Sequence, residues 1–91
     1  MKAFICGNKE NAKQYRRAEA ALRKKGYVPI NPVKVMYGLP KEINNSDFTV
    51  VEIELVRISD VVYLLPDWDK DLTERIVLAQ AKKMEKEIIE F

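Results

Sequence analysis

The sequence predicts an α/β fold, a three-layer sandwich with a mainly parallel sheet of about four strands, and two observations predict it. A strand, a helix and a second strand follow one another within the first part of the chain, which is a βαβ unit with its near-obligatory right-handed crossover. Farther on, Val61-Val62-Tyr63-Leu64-Leu65 is an unbroken apolar run rich in β-branched and aromatic residues, as a parallel strand buried on both faces should be. Residues 1–91 read as a single domain, large enough for a real core.

Taken in order, Lys2 to Cys6 is a short strand, and Gly7-Asn8 is the turn that ends it. From about Asn11 to Lys25, Ala12, Tyr15, Ala18 and Leu22 recur at helical spacing, with Gly26 as the stop. Tyr27 to Ile30 is the second strand, closed by Asn31-Pro32. Residues 33–44 carry Gly38 and Pro40 and no clear periodicity, so they read as a long connection, either a lid or a plain surface excursion. Asn45-Ser46-Asp47 offers caps for a helix to about Ile58, with Phe48, Val51, Leu55 and Ile58 on its apolar face. The Val61–Leu65 strand follows, stopped by Pro66, which has no N–H to donate. A helix from Leu72 to about Glu85 and a fourth strand from Glu87 to Phe91 complete the chain.

Composition narrows the function classes. A charged fraction of 33% beside 47% apolar residues describes a folded soluble chain rather than a disordered one. The net charge is only +2, so the chain lacks the electrostatic footprint of a nucleic-acid binder. With one cysteine and no histidine, neither an intrachain disulfide nor a zinc site is expected, and no cofactor is called for. There is no signal peptide, and no apolar run approaches the roughly 18 residues of a membrane span. These features lead to the expectation of a cytoplasmic protein without membrane contact.

A parallel sheet brings the turns Cys6-Gly7-Asn8, Asn31-Pro32 and Pro66-Asp67-Trp68-Asp69 to one edge, where open α/β sheets hold their ligands. Those residues are the ligand-binding candidates. Gly7 permits close backbone approach to a ligand, or is simply a turn. Trp68 reads equally as a stacking platform or as a side chain packed on the sheet edge. Asp71 and Glu74 suit a catalytic carboxylate pair; they also suit a helix cap, with Asp71 accepting from a backbone N–H and Glu74 reaching back. Glu52 is a third carboxylate candidate, at the boundary of its helix's apolar face, with exposure as the default. Cys6 reads most simply as a small buried hydrophobe.

The order and spacing of Cys6-Gly7, Tyr15, Ala18-Glu19, Leu22, Gly26, Asn31-Pro32, Glu52, Leu64-Leu65-Pro66-Asp67-Trp68 and the closing helix resemble a family over nearly the whole chain. It is that of small phage and bacterial proteins of uncharacterised function similar to nucleoside 2-deoxyribosyltransferases. The resemblance implies that fold, a nucleoside- or nucleotide-like partner, and a homo-oligomer in which neighbouring subunits complete each site. It also implies a retaining glycosyl transfer by a nucleophilic glutamate. In the family pattern a Ser or Asp, here Asp71, is followed by Gly-Ala and then by the nucleophile. This chain has Thr73-Glu74 in place of Gly-Ala and Val77 in place of the nucleophile.

Glu74 lies three residues before Val77 on the same helix face, roughly 4.5 Å nearer the active edge. Three functions follow from the sequence. The first is binding of a nucleoside, nucleotide or related small molecule with the standard nucleophile lost. The second is an active N-glycosidase or deoxyribosyltransferase using Glu74 with Asp71. The third is a non-catalytic interaction protein on the same fold.

Overall fold

The computed structural model describes residues 1–90. Strands β1 (Lys2–Cys6), β2 (Val28–Ile30), β3 (Val61–Leu64) and β4 (Glu87–Glu90) form one sheet in the order β2-β1-β3-β4. Every neighbouring pair is parallel, with Phe4 opposite Ile30 and Val62, and Val62 opposite Ile88. The helices are α1 (Ala12–Lys24), α2 (Pro32–Tyr37), α3 (Asn45–Ile58) and α4 (Leu72–Lys83), with a 3₁₀ turn at Trp68–Lys70 before α4. The sequence expectation for the last strand ran on to Phe91, which lies outside the described residues.

The two-residue period of the central strands divides the core. Ala3, Ile5, Val61, Tyr63 and Leu65 face α1 and α2 through Tyr15, Ala18, Leu22 and Val33. Phe4, Cys6, Val62 and Leu64 face α3 and α4 through Val56, Val77, Leu78 and Ala81. Strands β1 and β3 are buried on both sides, which is why both read as near-continuous apolar runs. The chain winds one way from β1 to β2 and the other way from β3 to β4. The switch point therefore lies between the C-terminal ends of β1 and β3.

Three sequence expectations are corrected here. Residues 33–44 are not all irregular, because Asn31 caps α2 by accepting from the Val33 N–H at 2.9 Å, and Pro32 sits in its first turn. The cap of α3 is Asn44, not Asn45, Ser46 or Asp47; Asp47 completes a capping box with it. The inward face of α3 is Phe48, Glu52 and Val56, so Ile58 is 55% exposed rather than on the core side.

Gly7 has a structural cause. A Cβ there would lie 2.7 Å from Leu65 Cδ1 and 2.9 Å from its Cβ, so the bare backbone makes room for the residue that extends β3. Gly7→Ala should lower stability by about 1–3 kcal/mol in urea unfolding. Leu65→Ala relieves the contact with Cδ1 but keeps the Cβ, so in a double-mutant cycle it should recover only part of that additional loss. An unchanged midpoint for Gly7→Ala would contradict this packing.

Candidate functional site

The turns after β1 and β3 meet at the switch point and are stitched together by their own polar groups. The Gly7 N–H donates to the Tyr15 hydroxyl at 2.9 Å, and that hydroxyl donates to the Gly7 carbonyl at 2.8 Å. The Asn8 N–H donates to Asp67 Oδ1 at 3.2 Å, and the Lys9 N–H to Asp71 Oδ2 at 3.3 Å. Asp71 also caps α4, its Oδ1 accepting from the N–H groups of Thr73 at 3.0 Å and Glu74 at 3.4 Å. The backbone N–H groups of Gly7, Asn8, Lys9, Thr73 and Glu74 are thus engaged by the protein's own side chains.

Below this seam lies a residue that the sequence reading passed over. Lys9 Nζ stands 3.0 Å from Glu52 Oε1, 3.2 Å from Asp71 Oδ2 and 3.2 Å from Glu74 Oε1. It is also 6.0 Å from the centre of the Phe48 ring, within reach of a cation–π contact. The Lys9 and Asp71 side chains are 12% and 16% exposed, and those of Glu52 and Glu74 not at all. Three elements converge to build this cluster: the β1–α1 turn, the inward face of α3 and the first turn of α4.

Two expectations about these carboxylates change. Glu52, read as exposed by default, is fully buried, because it is on the side of α3 that packs inward between Phe48 and Val56. Glu74 does not reach back to cap α4. Its carboxylate turns inward to Lys9, with the Tyr15 hydroxyl 3.5 Å from Oε1 and the Cys6 thiol 3.6 Å from Oε2.

The electrostatics follow from burial. Glu74 is held well above the usual carboxylate range, first by burial, then by the hydrogen bond and charge of Glu52, with Lys9 pulling the other way. Burial alone would push Lys9 down, but Glu74, Glu52 and Asp71 together raise it, so its ammonium stays charged. Burial, and then the Glu74 charge, push both the Cys6 thiol and the Tyr15 phenol up. Neither is poised as a nucleophile.

A cleft of about 560 Å³ lies over this edge, bordered by Asn8, Lys9, Glu10, Met36, Tyr37, Asn45, Lys70, Asp71, Leu72 and Thr73. A second hollow of about 350 Å³ adjoins it, sharing Met36, Tyr37 and Asn45 and reaching Phe48. Of the residues singled out from sequence, Asn8 and Asp71 border the cleft, and Glu52 and Glu74 lie in the cluster that Lys9 links to it. Cys6 and Gly7 sit behind that cluster. Asn31 and Pro32 start α2, whose far end supplies Met36 and Tyr37. Asp67 is spent on positioning: besides Asn8, it accepts from the Gln14 amide at 2.9 and 2.8 Å in the amide orientation that satisfies both groups. Pro66 and Trp68 line a different hollow with Leu64, Leu65 and Glu90, and Asp69 borders another beside Arg75.

Val77, which the resemblance sets at the nucleophile's position, is 1% exposed and packed among Phe4, Cys6, Val56 and Val62. Among the described residues, no group of His, Cys, Asp and Glu side chains is arranged to hold a metal ion. No helix among the described residues is long and apolar enough to cross a membrane.

A four-stranded parallel sheet with helices on both faces makes this a three-layer α/β fold, with its polar cluster at the switch point. The chain superposes with a TM-score of 0.70 on the CMP N-glycosidase BcmB of Clostridium botulinum, covering 99% of this chain and 67% of that one. At 19% identity, this likeness establishes the fold. The chain belongs to the family described as DUF4406, a domain of unknown function, which it matches over residues 3–90. No curated protein sequence matches it.

The cluster makes two predictions. Lys9→Met strands buried carboxylates and should lower stability by about 3–5 kcal/mol near neutral pH, with a smaller loss in acid, where they can protonate. Glu74→Gln tests the raised carboxyl. The folded chain keeps a proton that the unfolded chain releases from about pH 4.3 upward. Stability from this group therefore falls as pH rises from there until the folded carboxyl ionises as well. Glu74→Gln cannot ionise, so its stability relative to the parent should improve with rising pH over that window. Parallel pH–stability curves for the two proteins would contradict the assignment.

Proposed function

We propose that the chain binds a nucleoside, nucleotide or related small molecule at the C-terminal edge of its sheet and does not carry out the family's standard glycosyl transfer. The observation that carries this reading is the closed ring of Glu52, Asp71 and Glu74 on Lys9 beside the cleft, with Val77 sealed in the core. A retaining transfer needs an ionised carboxylate free to attack an anomeric carbon within about 3.5 Å. Valine supplies no lone pair. Glu74 favours its proton, hydrogen-bonds Glu52 and is engaged by Lys9. What survives is recognition: Asn8 and Asp71 supply polar groups for a sugar, and Met36 and Tyr37 supply apolar surface for a base.

A second reading has a specific observation in its favour. Glu74 points into the site rather than to water, which is what a displaced nucleophile would need. Release of free base from nucleosides and nucleotides, followed by chromatography, separates the two. The binding reading expects a thermal shift with members of a nucleotide panel and no base release; N-glycosidase action requires release that Glu74→Gln abolishes. Absence of any shift across the panel would leave the interaction-protein reading. Because Trp68 lies in another hollow, a ligand in the cleft should leave its fluorescence nearly unchanged; strong quenching on binding would move the site to the β3–β4 side.

A further inference from the structure

Helix α4 is apolar on the side where a surface helix should be polar. Its inward side is Glu74, Val77, Leu78 and Ala81, all buried. On the opposite side lie Leu72, Ile76, Ala79 and Lys83, spaced i, i+4, i+7 and i+11. All four are exposed, Leu72 at 75% and Ile76 at 52%. A single exposed leucine needs no explanation, but an apolar row along one helix face is the mark of an interaction surface. Charge is ordered along the same helix. Asp69 stands just before its start, and Lys82 and Lys83 close its last turn. All three are exposed, and none is held in an ion pair among the described residues.

An acidic start and a basic end complement the dipole of any helix, but beside an apolar row they also make the face self-complementary. A second α4 laid antiparallel on the first, about a two-fold axis, sets Ile76 against the copy's Ala79. The same register sets Leu72 against the apolar stem of the copy's Lys83. Each helix then has its acidic start beside the basic end of the other, whereas a parallel pairing would set lysine against lysine. We propose that the chain forms a two-fold dimer through this face, with the two α4 helices antiparallel. A contact made by 12-residue helices, roughly 18 Å long, belongs at the small end of specific interfaces. The dimer is therefore one that dissociates in the micromolar range. It uses the outward side of α4, away from the cluster around Lys9, and so stands whether or not the small-molecule reading does.

The test is sedimentation equilibrium of the full chain at concentrations up to about 1 mM, where a micromolar dimer is fully formed. The parent should fit a monomer–dimer equilibrium. Ile76→Glu sets two carboxylates near the axis and should weaken association at least about tenfold. Its melting temperature in dilute solution should stay near the parent's, because position 76 is half open to solvent. Leu72→Glu, at a still more exposed position, should weaken association in the same way. Val28→Glu, on the far edge strand β2, should leave it unchanged. Charge reversal tests the direction of the helices. Asp69→Lys should weaken the dimer, and adding Lys82→Glu and Lys83→Glu to it should restore most of the loss. A parent that stays monomeric at the highest concentration overturns the proposal. So does association that survives both Ile76→Glu and Leu72→Glu, or that Val28→Glu abolishes. Charge reversals that do not compensate one another overturn the antiparallel arrangement and the proposal with it.

Discussion

Two glutamates with no exposure to water share one lysine ammonium at about 3 Å, and the arrangement of this sheet edge depends on keeping that pairing intact. Taking such charges out of water is unfavourable by several kcal/mol per ion, and their attraction offsets that loss only when the geometry is held. The holding is done by neighbours that make no direct use of the ligand space. Asp71 fixes the start of α4 and the Lys9 backbone together. Asp67 fixes Asn8. The Tyr15 hydroxyl closes on both polar groups of Gly7.

The core in turn explains why the cluster sits where it does. Cys6 ends β1 facing α3 and α4, and the chain must then turn over Leu65, which only a glycine at position 7 permits without displacement. That turn points Lys9 back toward α3. Glu52 and Glu74 come from adjacent helices on one face of the sheet, so two like charges meet there. Lys9 and a retained proton are what make the meeting tolerable. Val77 belongs to the same apolar layer, and Glu74, nearly one helical turn nearer the edge, has a cation beside it.

Much of this was legible in the sequence, for identifiable reasons. The double burial of β3 is written in its unbroken apolar run, and Asp71 as the cap of α4 in its place where the helical pattern begins. The misses have physical causes too. Apolar periodicity on α3 selected Val51, Leu55 and Ile58, because a glutamate reads as solvent-facing unless its partner is known. The partner, Lys9, is a lone cation in a turn, a pattern that usually means a solvated side chain. Asn31-Pro32 was read as the end of a strand, although the same pair is a cap and a first-turn proline, and so α2 was missed. Trp68 drew attention as the lone tryptophan, but the 3₁₀ turn carries it away from the cleft and onto the α4 side of the core.

The account turns on the state of the Glu74 carboxyl, which carbon-13 NMR of the glutamate side chains reads directly. Glu74→Gln identifies the Glu74 resonance, and a pH titration follows it. The account predicts a carboxyl that remains protonated well above the ordinary carboxylate range and whose signal responds when Lys9 or Glu52 is replaced. A Glu74 resonance that titrates like an exposed glutamate, indifferent to both substitutions, would contradict it.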